Sequence, residues 1–237
     1  MDLRPGVPMI SVVIPTLNSE RGLPAALARL VPAAVDGLVR EVIIVDGGSD
    51  DGTAAIAEMS GARLLKAERG RGMQLAAGAA RARFPWLLFL HADTVLAEGW
   101  EREAGAYITR VDGGACAAGA AAFRFALDDQ GLRPRLLERL VALRCALLRL
   151  PYGDQGLLIS KRLYDALGGY RPLALMEDVD LVRRLGPRRI HLLRARALTS
   201  AERFKREGYW QRSARNLVCL TLYLLRVPIS TIQRIYG

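Results

Sequence analysis

Histidine is almost absent from this chain, cysteine is sparse, and no apolar run is long. Two histidines, His91 and His191, exclude a multi-histidine metal site. Cys116, Cys145 and Cys219 are far apart and odd in number, so neither a disulfide framework nor a metal-type spacing follows and buried free thiols are expected. Aromatic residues make up 6% of the 237 residues and do not interleave with basic clusters, which argues against a stacking platform for nucleic acid. The longest apolar candidate, 217–225, contains Thr221 and Tyr223 and falls short of the roughly 18–20 residues that a spanning helix needs. The chain opens directly into a strand-like segment without an apolar leader, so a cytoplasmic protein is the simplest expectation. No Ser/His/Asp or Cys/His order points to nucleophilic catalysis.

What is present is apolar residue and arginine. Hydrophobic residues make up 51%, enough for a sizeable core in one domain. Basic residues outnumber acidic ones 34 to 24, for a net charge of +10, and nearly all the cations are Arg. Such a balance fits anionic partners, a nucleoside diphosphate or an acidic lipid surface, and fits equally an arginine-solvated surface.

Strand-like and helical segments alternate through the first half. Residues 10–14, 42–45, 63–66 and 86–90 read as strands, and 24–30, 53–59, 73–83 and 96–110 as helices. This order predicts an α/β fold with a mostly parallel sheet flanked by helices. After Asp112 the pattern changes. Extended segments are expected at 117–127, 157–160 and 189–198, and helices at 134–150, 176–185 and 203–225, with both halves sharing one sheet. In the helix at 134–150, Leu136, Leu140, Leu143 and Leu147 share one face, and Arg144 falls within it. This face and 217–225 read as a lipid-facing or acceptor-binding surface, or as packing within the domain or a dimer interface.

Strand C-termini in a parallel sheet line one crevice, where ligands bind. Pro15-Thr16-Leu17-Asn18 ends the first strand and Asp46-Gly-Gly-Ser-Asp50-Asp-Gly-Thr53 the second. A carboxylate there can accept from a base or ribose, although Asp51 or Thr53 as a helix cap explains part of the motif equally well. Arg69-Gly-Arg71-Gly precedes a helix, an arrangement suited to phosphate oxygens or to a solvated turn. His91-Ala-Asp93 follows the strongest strand, and Asp93 suits a hard cation bridging phosphates or a helix cap. Gly153-Asp154-Gln155-Gly156 is a polar turn, and Glu177-Asp178 opens a helix whose dipole favours the carboxylate anion.

In this order the motifs strongly resemble the family 2 glycosyltransferases of GT-A fold, over nearly the whole chain. Gly70–Gln74, Phe89–Thr94, Gly153–Gly156 and Glu177–Asp180 are similar to segments of a small bacterial branch associated with radical-SAM genes. The resemblance implies one GT-A domain over 1–237, with a nucleotide-binding half at 1–112 and an acceptor-binding half at 113–237. It implies an inverting transferase of hexosyl type that uses a nucleoside diphosphate sugar, UDP-linked in most relatives, with Mn²⁺ or Mg²⁺. Pro15, Thr16, Asn18, Asp46, Asp50, Arg69 and Arg71 would border the nucleotide. Asp93 matches the last acid of the metal-binding Asp-x-Asp motif. Asp178 matches the base that deprotonates the acceptor hydroxyl, and Asp154, Gln155 and Glu177 would meet the sugar or the acceptor.

Two departures from the pattern matter. His91 stands where the first Asp of Asp-x-Asp is expected, so metal use rests chiefly on Asp93. The Gln-x-x-Arg-Trp motif of processive synthases is absent, since Tyr209-Trp210-Gln211-Arg212 has the residue types in another order, and single transfer is expected. A non-catalytic nucleotide-sugar or membrane-surface binding protein on the same scaffold is the alternative. The expected location is the cytoplasm, or the inner face of its membrane.

Overall fold

The computed structural model describes residues 8–236. Its strands are β1 (Ile10–Thr16), β2 (Val39–Asp46), β3 (Arg63–Lys66), β4 (Trp86–Phe89), β5 (Thr94–Leu96), β6 (Ala120–Asp128), β7 (Leu157–Ser160) and β8 (Ile190–Ser200). They form one sheet in the order β3-β2-β1-β4-β7-β6-β8-β5. The first four are mutually parallel. β7 runs antiparallel to both β4 and β6, so it joins the second half of the chain to the first through hydrogen bonds. β8 runs parallel to β6 and antiparallel to the short β5.

The central strands are apolar on both faces because helices cover both. Successive side chains of a strand point to opposite faces, and the core divides accordingly. Val12, Ile14, Ile44, Trp86 and Leu88 enter one apolar cluster. Val13, Ile43, Val45, Leu87 and Phe89 enter the other. Each such side chain contributes roughly 1.5–3 kcal/mol on full burial. The helices are α1 (Leu23–Ala28), α2 (Val31–Val35), α3 (Thr53–Met59), α4 (Arg71–Arg81), α5 (Trp100–Asp112), α6 (Leu132–Leu148), α7 (Lys161–Ala166), α8 (Glu177–Leu185), α9 (Glu202–Glu207), α10 (Tyr209–Leu224) and α11 (Ile229–Tyr236). Gly78 lets α4 lie directly on the sheet, since a Cβ there would stand 2.4 Å from Val13 Cγ1 and 2.9 Å from Val45 Cγ2.

Several local expectations are corrected. The helix expected at 24–30 is α1, which ends at Ala28, and a second short helix, α2, follows it unanticipated. The one expected at 96–110 begins only at Trp100, after left-handed Gly99, because Thr94–Leu96 pairs with β8. Gly208, at φ 84°, divides the expected 203–225 helix into α9 and α10. A further helix, α11, follows Pro228. The leucine face of α6 turns outward, so packing inside the domain does not explain it. Among the described residues no helix is long and apolar enough to cross a membrane.

Candidate active site

The β1–β2 register sets Thr16 opposite Asp46 at the C-terminal edge of the sheet. Pro15 and Thr16 are buried there, while Asn18 and Asp50 are exposed. Thr16 Oγ1 donates to Asp46 Oδ1 (3.1 Å), and so does Ser49 Oγ. The amides of Gly48 and Ser49 donate to Asp46 Oδ2 at 3.0 and 2.9 Å. Burial alone would raise the pKa of Asp46, but these hydrogen bonds outweigh it and hold the carboxyl below its usual range.

The loop after β1 is laced to the loop after β2. The Asn18 amide donates to Ser49 Oγ (2.9 Å), and Asn18 Oδ1 accepts from the Asp50 amide (3.0 Å), with Asn18 held at φ 49°. Asp51 accepts from the amides of Glu20 and Thr53, both at 3.0 Å, but the cap of α3 is Gly52 and no side chain caps that helix. Below the loops, buried Gln74 donates through Nε2 to the carbonyls of Thr16 (2.8 Å) and Val45 (2.7 Å), tying the two strand ends together. Gln74 was part of a recognisable segment, but sequence alone gave it no role. Arg69 is exposed, and Arg71 opens α4.

Beside this rim, a cleft is lined by Arg71, His91, Asp93, Asp154, Glu177 and Asp178. Four segments supply these groups: the start of α4, the turn after β4, the single helical turn Gly153–Gln155 before β7, and the start of α8. The Gly153 amide donates to Asp178 Oδ2 (2.6 Å), and the Val179 amide to Asp178 Oδ1 (2.7 Å). A Cβ on Gly153 would lie 2.7 Å from His91 Nε2 and 3.3 Å from Asp178 Oδ2. The missing side chain is what lets imidazole and carboxylate approach the turn from two sides. Met176 stands at φ 64°, a left-handed conformation unusual for a side chain of this kind, and aims the following acids into the cleft.

The charges of this cleft are strongly coupled to their surroundings. Burial and the Arg71 guanidinium push His91 down to about 4, against the pull of Asp93 and Asp178, so the imidazole is neutral at pH 7. Burial pushes Asp154 up to about 6, with Asp178 and Asp93 adding to the effect and Arg144 opposing it. Asp154 Oδ1 is buried without a hydrogen-bond partner. Burial also raises Glu177, although Arg71 Nε stands 3.5 Å from its Oε1. Burial works against the charge of Arg71, but Glu177 and Asp178 outweigh it and keep the guanidinium protonated.

Gln155 lies outside this group. It is buried, donates to the Phe123 carbonyl (2.9 Å), and accepts from the Tyr152 amide and Cys145 Sγ, so it holds the turn in place. Arg144, the cation within the leucine face, stacks 3.5 Å from the Tyr152 ring centroid and donates to Gln155 Oε1. Asp180 is likewise structural, paired with Arg171 and Arg184. Asp46 is on the same sheet edge as Asp93 and Asp178 but does not line the cleft.

The opposite wall was not anticipated. It comes from α9, α10 and α11 and carries Arg203, Phe204, Arg212, Asn216 and Tyr236. Asn216 Oδ1 is buried there without a partner. Arg212 belongs to the Tyr-Trp-Gln-Arg run, the only signal in the sequence that touched this wall. Among the described residues no three His, Cys, Asp or Glu side chains stand close enough to hold a metal ion by themselves.

Comparison with known proteins agrees with this arrangement. The glycosyl transferase family 2 model matches residues 11–140. The PGL/p-HBAD biosynthesis glycosyltransferase of Mycobacterium tuberculosis is 37% identical over a stretch covering 38% of each chain. The glucosyl-3-phosphoglycerate synthase of the same organism is 45% identical over 25% of this chain and 18% of its own length. The chain thus matches well under two thirds of these curated relatives. A crystal structure of that synthase with Mn²⁺, UDP and glucosyl-3-phosphoglycerate superposes with a TM-score of 0.64, at 23% identity, over 93% of this chain and 81% of that one. Its complex with Mn²⁺, UDP-glucose and phosphoglyceric acid gives 0.64 at 22% identity, with the same coverage. The fold is therefore the GT-A fold of these neighbours, and the chain belongs to glycosyl transferase family 2.

Proposed function

We propose that this glycosyltransferase moves a sugar from a nucleoside diphosphate sugar, UDP-linked, to an acceptor hydroxyl by a single inverting displacement. The observation that carries the reading is the Asp178 carboxylate, held by two backbone amides at the mouth of a cleft it shares with His91 and Asp93. The UDP-glucose and Mn²⁺ of the structural neighbour support the choice of donor and ion.

In this reading Asp178 takes the proton of the acceptor hydroxyl. The freed oxygen forms a bond to the anomeric carbon while the bond to the diphosphate breaks, and the leaving diphosphate keeps the electron pair. Arg71, kept cationic by its acidic neighbours, stands where charge develops on that leaving group. The loops after β1 and β2 hold the nucleoside, with Thr16, Asn18, Asp46 and Asp50 at their ends. Pre-positioning of the reactants and base catalysis supply most of the rate.

The donor set fits a divalent ion that shares its shell with substrate. Mg²⁺ and Mn²⁺ use one or two carboxylates plus phosphate oxygens rather than an all-protein cage, and Asp93 with neutral His91 offers that minimum. When bound, such an ion neutralises the diphosphate as it leaves.

Titration calorimetry with UDP, in Mn²⁺ and in EDTA, tests the donor site. Binding should weaken at least tenfold in EDTA and in Asp93→Ala; equal affinity in all three rejects the ion. UDP-sugar hydrolysis by the unaltered protein, absent from Asp178→Asn, argues against the binding-only alternative. A second reading makes Asp154 the base, because its carboxyl titrates near pH 6 and one oxygen is unpartnered. Turnover surviving in Asp178→Asn but lost in Asp154→Asn would favour it.

A further inference from the structure

The outer faces of α6 and α10 carry an apolar surface that nothing in the fold covers. On α6, Leu132, Leu136, Leu140, Leu143 and Leu147 are exposed, Leu143 by 54% and Leu147 by 72%. At 100° per residue they occupy one arc, opposite the side that buries Pro134, Leu137 and Cys145. Arg133 borders that arc on one flank and Arg139 on the other. On α10, Trp210, Leu217, Val218, Leu224 and Leu225 are exposed, and no charged residue falls among them on that face. The arginines of this helix, Arg212 and Arg215, turn the other way and pair with Glu207. The two helices meet through an apolar cluster in which Leu137 and Val141 of α6 pack with Phe204 and Tyr209.

We infer that this surface lies on an anionic lipid bilayer, and that the acceptor hydroxyl is carried by a lipid. The statement about the acceptor rests on the transferase reading above. Three observations choose the membrane over a second copy of the chain. The leucine arc is rimmed by arginines, whose stems follow the apolar surface while their heads meet lipid phosphates. The one acid of α6, Glu138, is already engaged by Arg135, so a symmetric pairing of this face would bring cations against cations. The chain as a whole carries +10, which favours an anionic surface. The link to the active site is α10 itself: its inner side contributes Arg212 and Asn216 to the cleft, and its outer side is the apolar face. A bilayer against that outer side would lie about one helix diameter, roughly 10 Å, from the cleft.

Flotation with vesicles of phosphatidylcholine alone, and of phosphatidylcholine with 30% phosphatidylglycerol, tests the surface. The unaltered protein should float with the anionic vesicles, and raising the salt should weaken this. The triple variants Leu136→Gln/Leu143→Gln/Leu147→Gln and Leu217→Gln/Val218→Gln/Leu225→Gln should each lower partitioning at least tenfold, because exposed positions tolerate glutamine. UDP binding should be unchanged in both, which separates failure of the surface from failure of the donor site. Failure of the unaltered protein to bind either vesicle overturns the inference. So does a dimer in sedimentation analysis that these variants dissociate while vesicle binding is absent, which would assign the face to a second copy. If vesicle binding holds but transfer proceeds equally to water-soluble and vesicle-borne alcohols, the lipid acceptor is rejected.

Discussion

The two stretches of the sheet's C-terminal edge treat their polar groups in opposite ways. At the ends of β1 and β2, Asp46 is saturated: Thr16, Gly48 and Ser49 fill both of its oxygens, and hydrogen bonding overcomes burial. At the ends of β4 and the turn before β7, Asp154 has an unpartnered oxygen, and burial wins. The first stretch spends its chemistry on keeping a shape. The second keeps chemistry unspent, which is what a reacting site requires.

The largest effect expected from breaking this contrast is at Asp178. Asp178→Asn should lower kcat by roughly 10²–10⁴, the usual worth of a positioned base, and leave the Kd for UDP unchanged in calorimetry. Gly153→Ala comes next. Its Cβ would meet His91 Nε2 at 2.7 Å, and displacing the turn by about 1 Å can cost on the order of 10²-fold in rate. Circular dichroism should still report a folded chain. Asp46→Ala acts on shape instead. It strands the buried Thr16 hydroxyl and leaves the half-buried Ser49 donors unpaired, at roughly 1–3 kcal/mol for a buried donor, so both thermal stability and UDP affinity should fall while the proton-transfer step is untouched.

The smallest effect is the sharpest test, because the two carboxylates should give opposite pH slopes. Asp154 is raised from 3.8 to about 6, so the folded chain holds its proton more tightly than the unfolded chain does. Stability is then lost as pH rises through that window. Asp154→Asn should therefore raise Tm at pH 7.5 and change little at pH 3.5. Asp46 is lowered, so its contribution is present above 3.8 and lost as pH falls below it. Asp46→Asn should cost stability at pH 7.5 and progressively less in acid. Parallel melting curves from about pH 2 to 7.5 decide both, and slopes of the same sign would refute the contrast.

Much of this was legible before the structure. The helix at 53–59 and the strands at 63–66 and 157–160 stand where apolar runs bounded by turn residues put them. His91, Asp93, Asp154 and Asp178 meet in one cleft because they follow β4, precede the antiparallel β7 and open α8 at the same edge of the sheet. What was illegible depended on distant partners. β5 is three residues long and exists because β8 pairs with it. Arg203 and Asn216 reach the cleft only because Phe204 packs against Phe125 and Leu127 of β6, which no local pattern records. Gln155 looked like a ligand residue, but its amide is consumed by Phe123 and Tyr152.

The pairing of Phe89 with Leu157 fastens His91 and Asp154 to adjacent strands of a single sheet. Val179 and Leu181 anchor α8 in the core on one side of it. The jaw that carries Asp93, Asp154 and Asp178 is therefore stationary. The facing jaw hangs on two smaller apolar clusters, and only α10 reaches the main core, through Leu220. Opening the cleft at α9 and α11 would therefore break less buried apolar contact than opening it at the sheet.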